Sequence, residues 1–306
     1  MQTPLFYIKN PSIFATIMLF KVNKLLSDRT YLKLLYRLTM KKKLNLSNPV
    51  TFNEKLQWLK LYNRKPEYTK MVDKYEVKKI VAECIGNEYI IPTLGVWERP
   101  EDIDFNNLPN QFVLKTTHGS GGSSVVICKN KKLFDKKNAQ HRMKWSIEHS
   151  DTYAHYKEWP YKDVHKRIIA EKFINSNGDL RDYKFFCFNG KVRLFKIDFG
   201  RHIEHHANYY SPAGELLPFG EKVCAPDFSH TEVIPDNLSE MIVLAEKLSK
   251  SVPFLRVDFY NVEGKIYFGE LTFFPAGGVG AFTDEKWDIE LGNYLSLPFN
   301  EYAHSK

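Results

Sequence analysis

Hydrophobic and polar positions alternate most clearly near the end of the chain. FLRVDFYNVEGKIYFGELTFFP, Phe254 to Pro275, reads as two strands joined at Glu263-Gly264. Arg256 and Asp258 lie on the first strand and Glu270 on the second. A three-residue loop with Gly264 in the left-handed position would set Asp258 opposite Glu270 on one face; a two-residue loop would turn them to opposite faces. The same alternation predicts a hairpin over DYKFFCFNGKVRLFKIDFGR, Asp182 to Arg201, turning at Asn189-Gly190 and carrying Lys184, Arg193 and Arg201. Continuous apolar runs mark buried strands: FVLKTT with Lys115 inside it, SSVVIC after it, and RIIAEKFI, Arg167 to Ile174, with Glu171 at its centre. IIPTLGVW reads as a strand and turn.

Helical spacing fills the intervals. Thr51 and Glu54 stand three apart, a capping-box signature that starts a helix near Phe52. A second helix is predicted from Pro66 to a C-cap at Gly86, a third over 135–149, a fourth from about Asp236 to Ser251 and a last one from near Asp284. HIEHHANYYSPAGELLPFG, with His202, His205 and His206, reads as a surface or substrate-contacting loop, because HxxHH lacks a helical frame for a metal.

Charge changes the picture. The net charge is +8 over 306 residues, and residues 1–48 hold nine Lys/Arg against a single acid, Asp28, so the remainder is neutral. The basicity belongs to an arm, which argues against a nucleic-acid binder. The uncharged run Asn10–Phe20 is too short for a bilayer span of ~20 residues and lacks a signal-peptide cleavage pattern. Two readings stay open for the arm: an interfacial helix touching an anionic membrane, or a helical cap packed on the body. Cys84, Cys128, Cys187 and Cys224 are widely spaced and read as reduced thiols of a cytoplasmic protein, peripheral at the inner membrane face if the arm binds there.

Three features bear on chemistry. Asp258 and Glu270, if paired, need a cation between them, and hard oxygens on two strands suit Mg2+ shared with nucleotide phosphates. Lys115 leads into the loop His118-Gly119-Ser120-Gly121-Gly122-Ser123, a strand–loop–strand lid for phosphates; the Walker pattern is absent. An acid at the centre of an apolar strand, Glu171, needs a partner. Asp102-Ile103-Asp104 fits the short DxD pattern of a metal-dependent glycosyltransferase, which is the alternative reading.

NPVTFNEKLQWLKLY, the DKY at Asp73–Tyr75, LPNQFVLKTTHGSGG, DYKFFCFNGK and LRVDFYNVEGKIYFGELTF together resemble the TupA-like ATP-grasp family, from about Leu26 to Pro298, with residues 1–25 outside. The resemblance implies an α/β (α+β) ATP-grasp fold with an N-terminal helical extension, divided as a basic arm (1–48), an N-terminal subdomain (49–109), a lid subdomain (110–174) and a C-terminal Mg2+-binding subdomain (175–306). It implies ATP and Mg2+ as cofactors. Lys74 and Lys115 would contact the phosphates under a lid of Ser120, Gly121 and Gly122. Backbone groups of Glu171, Lys172 and Phe173 would hold the adenine edge, with Asp179 toward the ribose. Lys184 and Arg201 match basic positions near the phosphates, Arg256 would bind the transferred phosphoryl group or the reacting carboxylate, and Asp258 and Glu270 would bind Mg2+. Thr272 departs from the asparagine that many relatives carry two residues after the second metal carboxylate, which puts the number of metals in doubt. The implied activity is carboxylate–amine ligation through an acyl phosphate. Family association with bacterial surface polysaccharides, including teichuronopeptide, points to a uronic acid sugar as the carboxylate and an amino acid or amino sugar as the amine. A binding protein that merely keeps the fold would not need Lys115, Arg256, Asp258 and Glu270 together.

Overall fold

The computed structural model describes residues 11–119, 122–176, 180–200 and 204–299. The arm supplies α1 (Pro11–Lys21) and α2 (Asp28–Met40). The body then runs through α3 (Phe52–Tyr62), α4 (Glu67–Val72), α5 (Val77–Ile85), β1 (Thr93–Trp97), β2 (Phe112–Thr116), β3 (Val125–Cys128), α6 (Lys136–His149), α7 (Thr152–Tyr156) and β4 (Ile168–Lys172). It continues with β5 (Asp182–Phe188), β6 (Lys191–Phe199), β7 (His206–Tyr210), α8 (Leu238–Ser249), β8 (Phe254–Val262), β9 (Lys265–Thr272) and α9 (Lys286–Tyr294). Among the described residues, no helix is long and apolar enough to cross a membrane.

Two antiparallel sheets organise these elements. One has the order β1-β4-β2-β3, the other β7-β6-β5-β8-β9. β1 lies in the segment 49–109 but hydrogen-bonds to β4 and so completes the first sheet. That sheet buries Phe112, Leu114, Ile168 and Ala170 against Ala139 and Met143 of α6. In the larger sheet, Phe185, Phe195 and Phe259 stack on one face, and α8 packs against this sheet. The alternate positions of the same strands, Lys184, Lys196, Arg256 and Asp258, therefore share the opposite face. Phe52 of α3 joins Phe188 and Phe254 at ring distances of 5.6 and 4.8 Å, docking α3 onto the larger sheet.

Sequence expectations meet the structure at several turns. The capping box at Thr51 and Glu54 forms as expected. Asn189 and Gly190 take φ of 48° and 78° and close β5 onto β6. The helix predicted from Pro66 to Gly86 is instead broken. Asp73 leaves the helical conformation and its Oδ1 accepts from the amides of Tyr75 and Glu76, starting α5 as a new helix. The break carries Lys74 out of the helix, and its amide donates to Thr117 O at 3.1 Å, beside the Gly-rich loop. The histidine segment contains an unexpected strand: β7 begins at His206 and buries Ala207 through Tyr210 at the sheet edge.

The last hairpin combines both geometries considered for it. Its loop has two residues, Glu263 and Gly264, at φ of 52° and 82°. With Val262 opposite Lys265 and Phe259 opposite Phe268, Asp258 would face Gly269. A bulge at Gly269 adds one residue to β9, and Asp258 pairs with Glu270 instead. A Cβ at Gly269 would stand 3.1 Å from Asp258 O and 3.4 Å from the Tyr260 ring. Gly269→Ala should therefore cost about 1 kcal/mol or more by crowding the bulge, while Gly264→Ala, which opens into free space, should pay only backbone strain; urea unfolding of the two variants checks the order.

Candidate active site

The bulged hairpin places a guanidinium between two carboxylates. Arg256 Nε and Nη2 donate to the two oxygens of Asp258 at 2.7 Å each, and Nη2 also donates to Glu270 Oε1 at 2.8 Å. Thr272 Oγ1 donates to the same Glu270 oxygen at 3.4 Å. The side chain of Asp258 is 2% exposed and that of Glu270 is 41% exposed. Burial pushes Asp258 up to about 7 although Arg256 and Lys184 oppose it. Burial also works against the charge of Glu270, but Arg256, Lys74, Lys184 and Lys115 together hold it below the usual glutamate range.

A ladder of charges extends this site across the sheet. Lys184 donates to Asp182 and, at 2.9 Å, to Asp198 Oδ2. Lys196 donates to Glu221 Oε2 at 3.0 Å, and Tyr209 OH to Glu221 Oε1 at 2.7 Å. These groups sit opposite one another because β5, β6 and β8 align Lys184 with both Lys196 and Asp258.

The smaller sheet brings the second cluster. Glu171 binds Lys115 at 2.6 Å through one oxygen and Lys78 at 2.6 Å through the other. Lys78 also donates to Ile91 O and Thr93 Oγ1, and Lys74 donates to Gly119 O. Burial opposes the charge of Lys115, yet Glu171 and Glu270 raise its pKa. The amide of Lys172 donates to Pro92 O, and Phe173 is half-buried just beyond the strand. Gly122 is exposed. Ser120, Gly121, Asp179 and Arg201 lie outside the described residues, as does His202.

Other groups were not foreseen. Lys78, on α5, is the second partner of Glu171, and nothing in the sequence singles it out. Glu158, buried beside Tyr161, lines the same cleft as Arg256 and Glu270. Burial pushes Glu158 up to about 7, with Lys60 and Arg256 pulling it down. Lys60 is fully buried; burial lowers it and Glu158 opposes the shift. Its Nζ donates to Tyr156 O at 2.8 Å and Gly277 O at 2.5 Å, while Gln57 donates to Gly278 O at 2.5 Å. Those two α3 side chains hold the loop where Ala276, Gly277 and Gly278 all adopt positive φ. The cleft itself encloses about 930 Å³ and runs from Thr16 and Phe20 on α1 to Glu158, Arg256 and Glu270.

Among the described residues, no three His, Cys, Asp or Glu side chains converge on one metal position, and His205 and His206 bind Asp198 and Ala225 O rather than each other. Mg2+ usually takes one or two carboxylates and completes its shell with phosphate oxygens and water. Glu270 fits that role; Asp258 fits once Arg256 releases it. Asp102 and Asp104 serve local surface turns, Asp102 through a bidentate pair with Arg99 and Asp104 through the amides of Asn106 and Asn107.

Two antiparallel sheets within a mixed α/β fold, with helices at the N-terminus, are the frame of an ATP-grasp protein. The chain belongs to the TupA-like ATPgrasp family, whose sequence profile matches residues 54–296. A comparison with curated proteins found no match. Among solved structures, the chain is similar to D-alanine–D-alanine ligase from Bacillus anthracis complexed with ATP, at 16% identity over 67% of this chain and 54% of that one, with a TM-score of 0.39. It is also similar to N5-carboxyaminoimidazole synthetase from Staphylococcus aureus (16% identity, 66% and 44% covered, TM-score 0.38). D-Ala-D-Ala ligase from Helicobacter pylori matches at 18% identity over 80% and 69%, with a TM-score of 0.41. The chain spans about half the length of the first two.

Two outcomes follow from the buried groups. Glu171→Gln strands two ammonium groups, and urea unfolding should register a loss of about 3–5 kcal/mol. His118 is buried, its Nε2 bonds to Ser146 O, and burial with Lys166 nearby lowers its pKa from 6.5 to about 4. The unfolded chain therefore takes up a proton at a pH where the native ring stays neutral. The share of stability that His118 contributes is present above pH 6.5 and should be lost, by about 3 kcal/mol, as pH drops to 4. His118→Gln keeps a donor for Ser146 and should remove this part of the pH slope; an unchanged slope would assign acid sensitivity elsewhere.

Proposed function

We propose that the protein is an ATP-dependent carboxylate–amine ligase. The observation that carries the reading is the Arg256–Asp258–Glu270 cluster at the end of the cleft, with Lys74 and Lys115 near enough to lower the pKa of Glu270. A carboxylate substrate takes the γ-phosphoryl group of ATP, and ADP leaves. The attacking amine then forms the amide bond and expels phosphate. Bound Mg2+ would supply charge neutralisation at the phosphate oxygens. Lys74 and Lys115 would hold the phosphates, with the 118–123 loop folded over them to keep water from the acyl phosphate. Arg256 would orient the reacting carboxylate, and Lys184 with Arg201 would balance the charge that accumulates during transfer. Glu171, Lys172 and Phe173 would line the adenine edge, with Asp179 at the ribose. Glu158, buried in the cleft with its pKa raised toward neutrality, suits the proton released when the amine attacks.

The family's link to surface polysaccharides supports a uronic acid sugar as the carboxylate and an amino acid or amino sugar as the amine. Titration calorimetry should show Mg2+-dependent ATP binding by the wild type, weakened at least about tenfold in Glu270→Ala. A panel of uronic acid and amine pairs should then give acceptor-dependent ADP and an amide. A folded wild-type protein that binds no ATP would overturn the ligase reading; ATP binding without ADP release for any pair would overturn the substrate assignment.

A further inference from the structure

Helix α1 has apolar residues on more than the side that meets the body. Thr16 and Phe20 line the cleft, Leu19 is buried, and Phe20 packs on His155 and Tyr156 at ring distances of 4.7 and 5.8 Å. The outward side carries Met18 and Val22, spaced four apart and 42% and 37% exposed, followed by Leu25 at 82%. Val22 follows the last residue of α1 and Leu25 closes the 3-10 turn Asn23–Leu25, so the exposed apolar positions run off the C-terminal end of the helix. Lys21 and Lys24, both exposed, interleave with them. A helix with no charge before Lys21 and apolar positions on most sides is expected to be covered, yet these positions face outward.

Charge identifies what covers it. Asp28, the single acid of residues 1–48, is occupied by Arg64 at 2.8 Å and Lys157 at 3.4 Å. Lys157 also donates to Asn23 O at 3.1 Å, so the turn between α1 and α2 is fastened to the body. Lys42 pairs with Glu285 at 2.6 Å, whereas Lys21 and Lys24 stay exposed beside the apolar positions. We propose that Met18, Val22 and Leu25 seat in the interfacial layer of an anionic membrane, with Lys21 and Lys24 on its headgroups. The cleft then opens beside the lipid surface, since α1 forms one of its walls. Where the ligase reading holds, a lipid-anchored acceptor reaches Arg256 and Glu270 without leaving the membrane.

The test uses the full chain and vesicles of phosphatidylcholine with or without phosphatidylglycerol. Co-sedimentation should favour the anionic vesicles at least about tenfold and weaken with added salt. Met18→Ser/Val22→Ser/Leu25→Ser should lose about tenfold or more of that binding, and so should Lys21→Glu/Lys24→Glu, with melting temperature and ATP binding unchanged in both. Two sets of substitutions keep the test open if one impairs folding. Absence of binding by the wild type, or equal binding by wild type and both variants, overturns the proposal. A concentration-dependent dimer that the apolar substitutions abolish, without vesicle binding, assigns the apolar positions to a second copy of the chain and also overturns it. None of these readouts depends on the ligase reaction, so the two readings fail separately.

Discussion

The guanidinium of Arg256 between Asp258 and Glu270 is the contact on which the site depends. Two carboxylates at cross-strand distance in a buried sheet would repel and take up protons. A fixed cation between them keeps Glu270 charged although burial opposes it. That arrangement exists only because one extra residue, Gly269, corrects the register set by the Glu263-Gly264 turn. Backbone geometry thus decides the electrostatics: with no bulge, Glu270 would point to the face against which α8 packs.

The same logic holds the rest of the site in place. Glu171 is one carboxylate serving two lysines, each brought from a different element, so β2, β4 and α5 are tied at one point. Gln57 and Lys60 reach from α3 into the loop after β9 and satisfy the carbonyls of two residues held at positive φ. Gly277 and Gly278 take that conformation freely, but Ala276 is strained in it unless its surroundings over-determine it. Here the helix announced by the capping box at Thr51 also anchors the wall of the cleft, joining a local folding signal to the site.

Local patterns carried much of this information in the sequence. Hairpins announced by Asn189-Gly190 and Glu263-Gly264, the helix start at Thr51 and the buried strands all follow from short-range rules of period and turn chemistry. The need of Glu171 for a partner was legible too, but Lys78 was not, because the pairing joins residues 93 apart in the chain and exists only once the fold brings α5 to β4. Likewise Glu158 and Lys60 look like ordinary helix and loop charges in sequence and acquire meaning only from burial. The break at Asp73 was missed because periodicity continues across it; only the Asx hydrogen bonds to Tyr75 and Glu76 distinguish two helices from one. β7 was hidden by histidines and by a run too short to show a clear alternation.

Buried ion pairs seldom justify themselves by stability, since desolvation offsets much of the attraction. Among the described residues they are concentrated on one face of the larger sheet and on the two inner strands of the smaller one, whereas the opposite face of the larger sheet carries Phe185, Phe195 and Phe259. Asp102 and Asp104, the acids that suggest sugar transfer, lie outside this field and satisfy only their own turns. Arg256 reaches the cleft beside Glu270, while Lys115, Lys78, Lys184 and Lys196 are each held by a carboxylate on the sheets behind it. On the proposed ligase reading, entering phosphate would recover the cost of gathering these charges, which is the physical argument for that proposal over any other acidic or basic group among the described residues.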